Sequence, residues 1–436
     1  MNRLNVKVLD MDGASRLTEI SIGTLTAQSM SYLPHIRTVS EMRLILQLRG
    51  RYDLDGIEGI VIDLPIAQRA FDVVSPPDMV NRQQQTFEGR VLRDPFTEFK
   101  KKSLIVVNPR MELLYEYQAR ADEALRKVFG QIEGVIDYLD RYDMEVASTD
   151  DDKQSHRQSI RRRLHAELFF TDSDVGLKKR DDMLGGIMKL QAAMKLPILI
   201  PACPMIGASV HEQECAEDIN DKCQGIAYGL GFECASYFMY SKKALKDKDI
   251  TGRYFEYIEQ NKSRLNVLNF FELDLHQLDK RARLEFAAFV KRIVEFKHEH
   301  EGVEFMLLGA GNQSLIALES FDFVSTSLTG IDKTVGWSDK RTLGYWWDEH
   351  LGWAAAPEDR GEIDKNHCPA CAIMTEADFT NAAKLNRRRR EHRAFEMSKK
   401  ATDFREALAA KKVGAFLRRE LMSSDFSGYC MLIQSP

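Results

Sequence analysis

Short, almost continuously hydrophobic runs alternate with amphipathic segments along most of this chain, and that alternation restricts the fold more than any other feature. The runs lie at 57–64 (IEGIVIDL), 103–107 (SLIVV), 166–171 (AELFFT), 196–202 (LPILIPA), 225–230 (GIAYGL), 266–273 (NVLNFFEL), 303–309 (VEFMLLG) and 321–325 (FDFVS). A strand covered on both faces has no polar side to alternate with, so it reads as an unbroken apolar run. Between the runs, segments such as 111–130, 181–195 and 280–297 repeat apolar residues at three and four spacing, the stripe of a helix that covers a sheet. About eight strands interleaved with helices predict an α/β fold, a (β/α)8 TIM-type barrel. A doubly wound open sheet is the alternative, but no glycine-rich phosphate loop follows the early strands.

With 436 residues, 44% of them hydrophobic and 29% charged, the chain can bury one large core or two ordinary ones. No apolar run approaches the roughly 18 residues of a membrane span. The start, MNRLNVKVLDMDG, lacks the basic stretch and apolar core of a secretory signal. Seven cysteines form no regular framework, so a reducing cytoplasmic location without membrane contact is expected. A net charge of -5 gives no global attraction for a polyanion, and any such surface must be local. The polar stretch 147–160 reads as an exposed loop within the barrel. After residue 330 the texture changes: Trp337, Trp346, Trp347 and Trp353 lead to a cysteine pair and then to a charged helical tail at about 378–423. The expected division is a barrel over 1–335 and a small helical C-terminal zinc-binding subdomain over 336–436.

The cysteine pair is Cys368-Pro369-Ala370-Cys371, followed by His392 in a helical stretch. A C-x-x-C turn brings two thiolates to one tetrahedral centre, and a helix is a usual source of a further ligand. His367 is the candidate fourth ligand, with His350, Asp364 and Cys430 in reserve. A closed set of protein ligands makes the zinc structural, because no position is left for a substrate. Two surface thiols and a solvated histidine are the bland alternative. Arg387, Arg388, Arg389 and Arg390 lead directly into His392, and Arg161, Arg162 and Arg163 form a second basic run. Such runs either solvate a helix face or hold phosphates.

In a barrel, chemistry belongs at the carboxyl ends of the strands. The runs place Asp63, then Asp172 and Asp174, then Glu272 and Asp274, and finally Asp322 near such ends, with Ser325 and Thr326 beyond. Buried carboxylates are costly without partners, which makes them site candidates, although each can equally cap a helix. Gly225, Gly229 and Gly231, and Gly309 and Gly311, occupy expected strand ends where either a tight turn or close approach of a flat ligand requires glycine.

Over roughly residues 160–415 these motifs fall in an order that resembles the tRNA-guanine transglycosylase superfamily. ILIPACPMIGASVHEQECAEDINDKCQGIAYGLGFE resembles the family's strand, acidic helix and G-Y-A-I-G-G-L strand, and LLGAGNQSLIALESFDFVSTS resembles its L-M-G-x-G strand and final aspartate-bearing strand. Cys368, Cys371 and His392 then fall at the family's zinc site, where Asn366 stands in place of the first cysteine of C-x-C-x-x-C. FFTDSDVG is the nearest echo of T-D-S-G-G-F-Q, and the nucleophile aligns with Asp322 or, with a different gap, with Ser325. The divergence is similar to that of the DNA-modifying, DpdA-like branch. The resemblance implies exchange of guanine in DNA, or alternatively in tRNA, for a preQ0-like 7-deazaguanine. Asp322 would be the nucleophile, Asp172 or Asp63 the proton carrier, Asp174, Gly229, Gly231 and Gly311 the base cradle, and Arg387 to Arg390 the phosphate contacts. It further implies a homodimer or a partner subunit that opens DNA.

Overall fold

A computed structural model describes residues 3–64, 66–67, 99, 101–109, 132–148, 154–261, 263–270, 280–309, 314–328, 345–348, 352–355, 368–373, 375 and 381–421. The chain begins with β1 (Asn5–Asp12), β2 (Ser15–Ile22) and β3 (Leu25–Gln28), an antiparallel meander joined by tight turns. Then come β4 (Ser31–Ile36), α1 (Val39–Arg49), β5 (Gly59–Asp63), β6 (Leu104–Asn108), α2 (Glu133–Ala147), α3 (Gln154–Phe169) and α4 (Asp174–Ala193). They are followed by β7 (Ile198–Leu199), β8 (Met205–Ile206), α5 (Val210–Leu230), β9 (Glu233–Cys234), β10 (Ser236–Tyr240), α6 (Lys248–Asn261), β11 (Leu265–Phe270) and α7 (Lys280–Glu299). The last part holds β12 (Glu304–Leu308), α8 (Ser314–Ser320), β13 (Phe323–Ser327), an antiparallel pair at Tyr345–Asp348 and Gly352–Ala355, a helical turn at Pro369–Ala372, α9 (Ala382–Ala409) and α10 (Val413–Leu421).

Eight strands form one sheet in the order β6-β5-β4-β13-β12-β11-β10-β8. The pairs β13 with β4, β12 with β13, β10 with β11 and β10 with β8 are all parallel. Apart from β8, which stands at the opposite edge from β6, each strand of this sheet neighbours its predecessor, and the last, β13, pairs with the first, β4. That is the order of an α/β barrel and not of a doubly wound sheet, whose strand order reverses. No ladder joins β6 to β8 among the described residues. Every residue of β5, β6, β10, β11 and β12 is buried, which accounts for the unbroken apolar runs in the sequence. The interval between β7 and β8 contains Pro201 and Pro204, which have no N–H to give to a ladder, so the strand is interrupted there.

The chain forms two compact units. One comprises Met1–Leu4, Ile62–Glu98 and Ile105–Leu273. In it α4 and α5 lie together through Arg180 and Asp218, and Asn220 of α5 takes the N–H of Tyr237 at 2.7 Å and donates to the Tyr237 carbonyl at 2.9 Å, fastening the helix to β10. The other comprises Asn5–Val61, Phe99–Leu104 and Asp274–Pro436, so the C-terminal helices group with the N-terminal meander. There α9 runs close along the chain beside β4, and a Cβ added at Gly56 would collide with the Ser398 backbone of that helix. Arg405 of α9 donates to the carbonyls of Gln28 (3.2 Å), Ser29 (3.2 Å) and Asp55 (3.0 Å) and to Glu58 (3.1 Å), tying two segments to one side chain.

Three expectations are corrected. The run 166–171 is the end of helix α3 and the turn after it, and 225–230 is the last part of helix α5. The stretch 147–160, expected as a loop, contains the first two turns of α3 from Gln154 onward. Segment 111–130 lies outside the described residues. Among the described residues no helix is long and apolar enough to cross a membrane.

Candidate metal centre and strand-end residues

Cys368 adopts an extended backbone and caps the turn Pro369–Ala372, its sulfur accepting the Cys371 N–H at 3.4 Å. Proline at the first helical position has its φ preset for this turn, and its missing N–H costs nothing there. The turn brings the two sulfurs to 3.3 Å, and the third turn of α9 presents His392 Nδ1 at 3.5 Å from Cys368 and 3.3 Å from Cys371. All three side chains are buried. The hydrogen bond from Cys371 lowers the Cys368 thiol to about 5; burial opposes the shift and His392 adds to it. A tetrahedral zinc with sulfur at about 2.3 Å and nitrogen at about 2.0 Å has edges of roughly 3.5–3.8 Å. Soft thiolates and an imidazole at nearly those separations fit a metal ion, and they form one face of its tetrahedron. His367, Asn366 and the reserve ligands His350, Asp364 and Cys430 lie outside the described residues.

The arginines that precede His392 occupy the first turns of α9. Glu391 accepts from Arg387 Nε at 3.0 Å and from Arg388 at 2.7 Å, while Arg389 donates to Asn386 at 3.4 Å. Arg387 is exposed, and Arg388, Arg389 and Arg390 are half-buried. Arg163, of the second basic run, is committed to Glu145 and Glu167.

The acidic candidates part company. Asp63 closes β5 at its carboxyl end and is 5% exposed. Asp322 does not: it precedes β13, at the amino end of that strand, where its backbone takes Met30 N–H at 2.6 Å and donates to Phe305 at 2.9 Å. Its carboxylate is fully buried against Lys297 at 2.9 Å and Arg16 Nη2 at 3.4 Å, and Glu304 lies 3.4 Å from the same Arg16 nitrogen. Burial alone would raise the Asp322 carboxyl, but Lys297 and Arg16 outweigh it and hold it below the usual range. Burial, reinforced by the charge of Asp322, pushes Glu304 well upward. The buried ion cluster thus lies at the amino end of β13, which corrects the expectation that Asp322 stands near a strand carboxyl end, where a barrel places its chemistry.

Asp172 is likewise not at a strand end. It lies between α3 and α4 with its side chain 85% exposed, 3.7 Å from His211 Nε2. Cys215 Sγ approaches the same nitrogen at 3.7 Å, and burial pushes that thiol up to about 11. One nitrogen cannot both take a proton from the thiol and be oriented by the carboxylate, so no relay is formed. Asp174 opens α4 behind the cap Ser173, whose hydroxyl accepts Gly176 N–H at 3.1 Å; an acidic residue in that first turn meets the positive helix end. Gly229 is inside α5 and Gly231 ends it in the left-handed conformation at φ 83°, so both belong to a helix and its stop, not to the strand end expected from the sequence. Gly311, Glu272 and Asp274 lie outside the described residues.

Sequence reading missed Arg16, Lys297 and Glu304, which are spread over the meander, α7 and β12. It also missed His35, a buried histidine at the carboxyl end of β4 in register with Ser327 of β13. The signal available was a histidine inside the otherwise apolar SYLPHI. Ser325, the other position offered for the nucleophile, is fully buried in β13, and its hydroxyl has no hydrogen-bond partner among the described residues. No protein-family model and no curated protein matches the chain.

Proposed function

We propose that the protein is a nucleic-acid base-exchange enzyme that replaces guanine in DNA with a 7-deazaguanine, on a closed (β/α)8 barrel stapled at its C-terminal helix by a structural zinc. The observation that carries this reading is the joining of two features after the last strand: a buried Cys368, Cys371 and His392 centre, and the arginine-bearing turns of α9 that this centre holds. The cyclic strand order supports the barrel. In the exchange a carboxylate oxygen bonds to C1′ as the bond from C1′ to the guanine nitrogen breaks, and guanine leaves with the electron pair and takes a proton from an acid. The incoming 7-deazaguanine gives its ring N–H proton to a base and bonds to C1′ as the ester bond breaks, so configuration is retained. We assign the acid–base work to Asp63, which has the required position at a strand carboxyl end, and none of it to Asp322. The target nucleotide leaves the stack or is presented single-stranded.

The second reading is a noncatalytic transglycosylase-like subunit that binds nucleic acid. Its specific support is that Asp322 and Asp172 both stand away from strand carboxyl ends and that Ser325 occupies the interior of β13. Purified protein incubated with labelled 7-cyano-7-deazaguanine and, side by side, duplex DNA, melted DNA and tRNA distinguishes the readings. Label in DNA supports the first choice and label only in tRNA moves the reaction to RNA. Tight nucleic-acid binding with no label in any substrate favours the noncatalytic subunit.

A further inference from the structure

A cavity of about 370 Å³ lies between α1, the cysteine turn and the first turns of α9. Its size falls within the roughly 300–1,000 Å³ of small-molecule sites. Arg51, Lys384, Arg387 and Arg388 line it against a single carboxylate, Glu391. Glu391 is already shared by Arg387 and Arg388, and among the described residues Arg51 and Lys384 make no ion pair. Lys384 is also in the first turn of α9, at the positive end of the helix dipole, with its own N–H capped by Asn381 Oδ1 at 3.1 Å. Tyr52 and Phe395 stand edge to face with ring centroids 5.2 Å apart, and Tyr52 remains 38% exposed. Pro369 and Ala370, the two residues between the metal-site cysteines, form part of the wall.

We infer that this cavity binds one nucleotide unit, its phosphate on Arg51, Lys384 and the arginine pair and its base against Tyr52. Surplus cations beside an exposed aromatic suit a phosphate attached to a flat ring, since every base has a face to stack and the phosphate gives the charge. Two sources share this chemistry, a strand of nucleic acid and a free nucleotide. The inference rests on the nucleic-acid reading and extends it to residues outside the arginine run. Because the cysteine turn is one wall, occupancy of the metal centre shapes the cavity.

The test uses the full metal-loaded chain and a labelled single-stranded oligodeoxynucleotide, read by fluorescence anisotropy over a salt series, with dGMP and inorganic phosphate as competitors. Arg51→Glu and Lys384→Glu are surface changes, and circular dichroism and metal content verify their folding. Each is expected to weaken binding at least tenfold and to reduce the slope of log K against log salt by about 0.7. Tyr52→Ala is expected to weaken strand binding with the salt slope unchanged. Sensitivity of dGMP binding to Arg51→Glu in the absence of strand binding assigns the cavity to a free nucleotide. Oligonucleotide and dGMP binding that match wild type in both charge reversals, with the same salt slope, overturn the inference. Failure here with base transfer intact leaves the proposed reaction standing, and loss of binding in Arg51→Glu without transfer by wild type leaves only the cavity.

Discussion

Lys297 Nζ lies 2.9 Å from Asp322 Oδ1, with both side chains buried at the amino end of β13. Arg16 approaches the same carboxylate at 3.4 Å from the N-terminal meander. Removing one partner from a buried ion cluster strands the others, which costs about 3–5 kcal/mol. Asp322→Asn is therefore expected to lower unfolding free energy by about that amount in urea denaturation. A nucleophile at Asp322 gives the opposite pattern, an unchanged midpoint with transfer abolished.

The metal centre predicts a stoichiometry and a stability. Mass spectrometry of the native protein should find one zinc per chain, and Cys371→Ser should release it. At free metal about a thousandfold above Kd, binding only the folded state adds about 4 kcal/mol, so chelation should remove stabilisation of that order.

Acid sensitivity should trace in part to His165 of α3, which sits against Phe169 with ring centroids 4.6 Å apart. Burial holds its imidazole well below the usual histidine value. The unfolded chain takes a proton near pH 6.5 and the folded chain resists it, so the stabilisation is complete above about pH 6.5 and declines on acidification toward the lowered folded value. The slope from this residue is at most about 1.4 kcal/mol per pH unit. Unfolding free energies measured between about pH 7 and pH 5 should fall in wild type and fall less steeply in His165→Leu.

The parallel strands with continuous apolar runs, β5, β6, β11, β12 and β13, were legible because both their faces are buried. The run GIAYGL misleads because Gly225 and Gly229 resemble strand-end glycines, whereas both sit in α5 with nothing within 4 Å of an added Cβ. Gly231, two residues after Gly229, carried the helix-stop signal. β4 was hidden by Pro34 and His35 in a strand whose six residues are all buried. The metal trio was readable from spacing alone, since C-x-x-C fixes two donors locally. The Arg16, Lys297 and Asp322 cluster was not, because its members are brought together only by tertiary packing.

The most direct test of base exchange is transfer of labelled 7-cyano-7-deazaguanine into DNA by wild type and Asp63→Asn. Asp63 is buried at the carboxyl end of β5, where a barrel places its chemistry. The account predicts label in wild-type reactions and a loss of at least a hundredfold, in line with removal of an acid–base group, in folded Asp63→Asn. No label in DNA with the wild-type protein, or full transfer by Asp63→Asn, would contradict it.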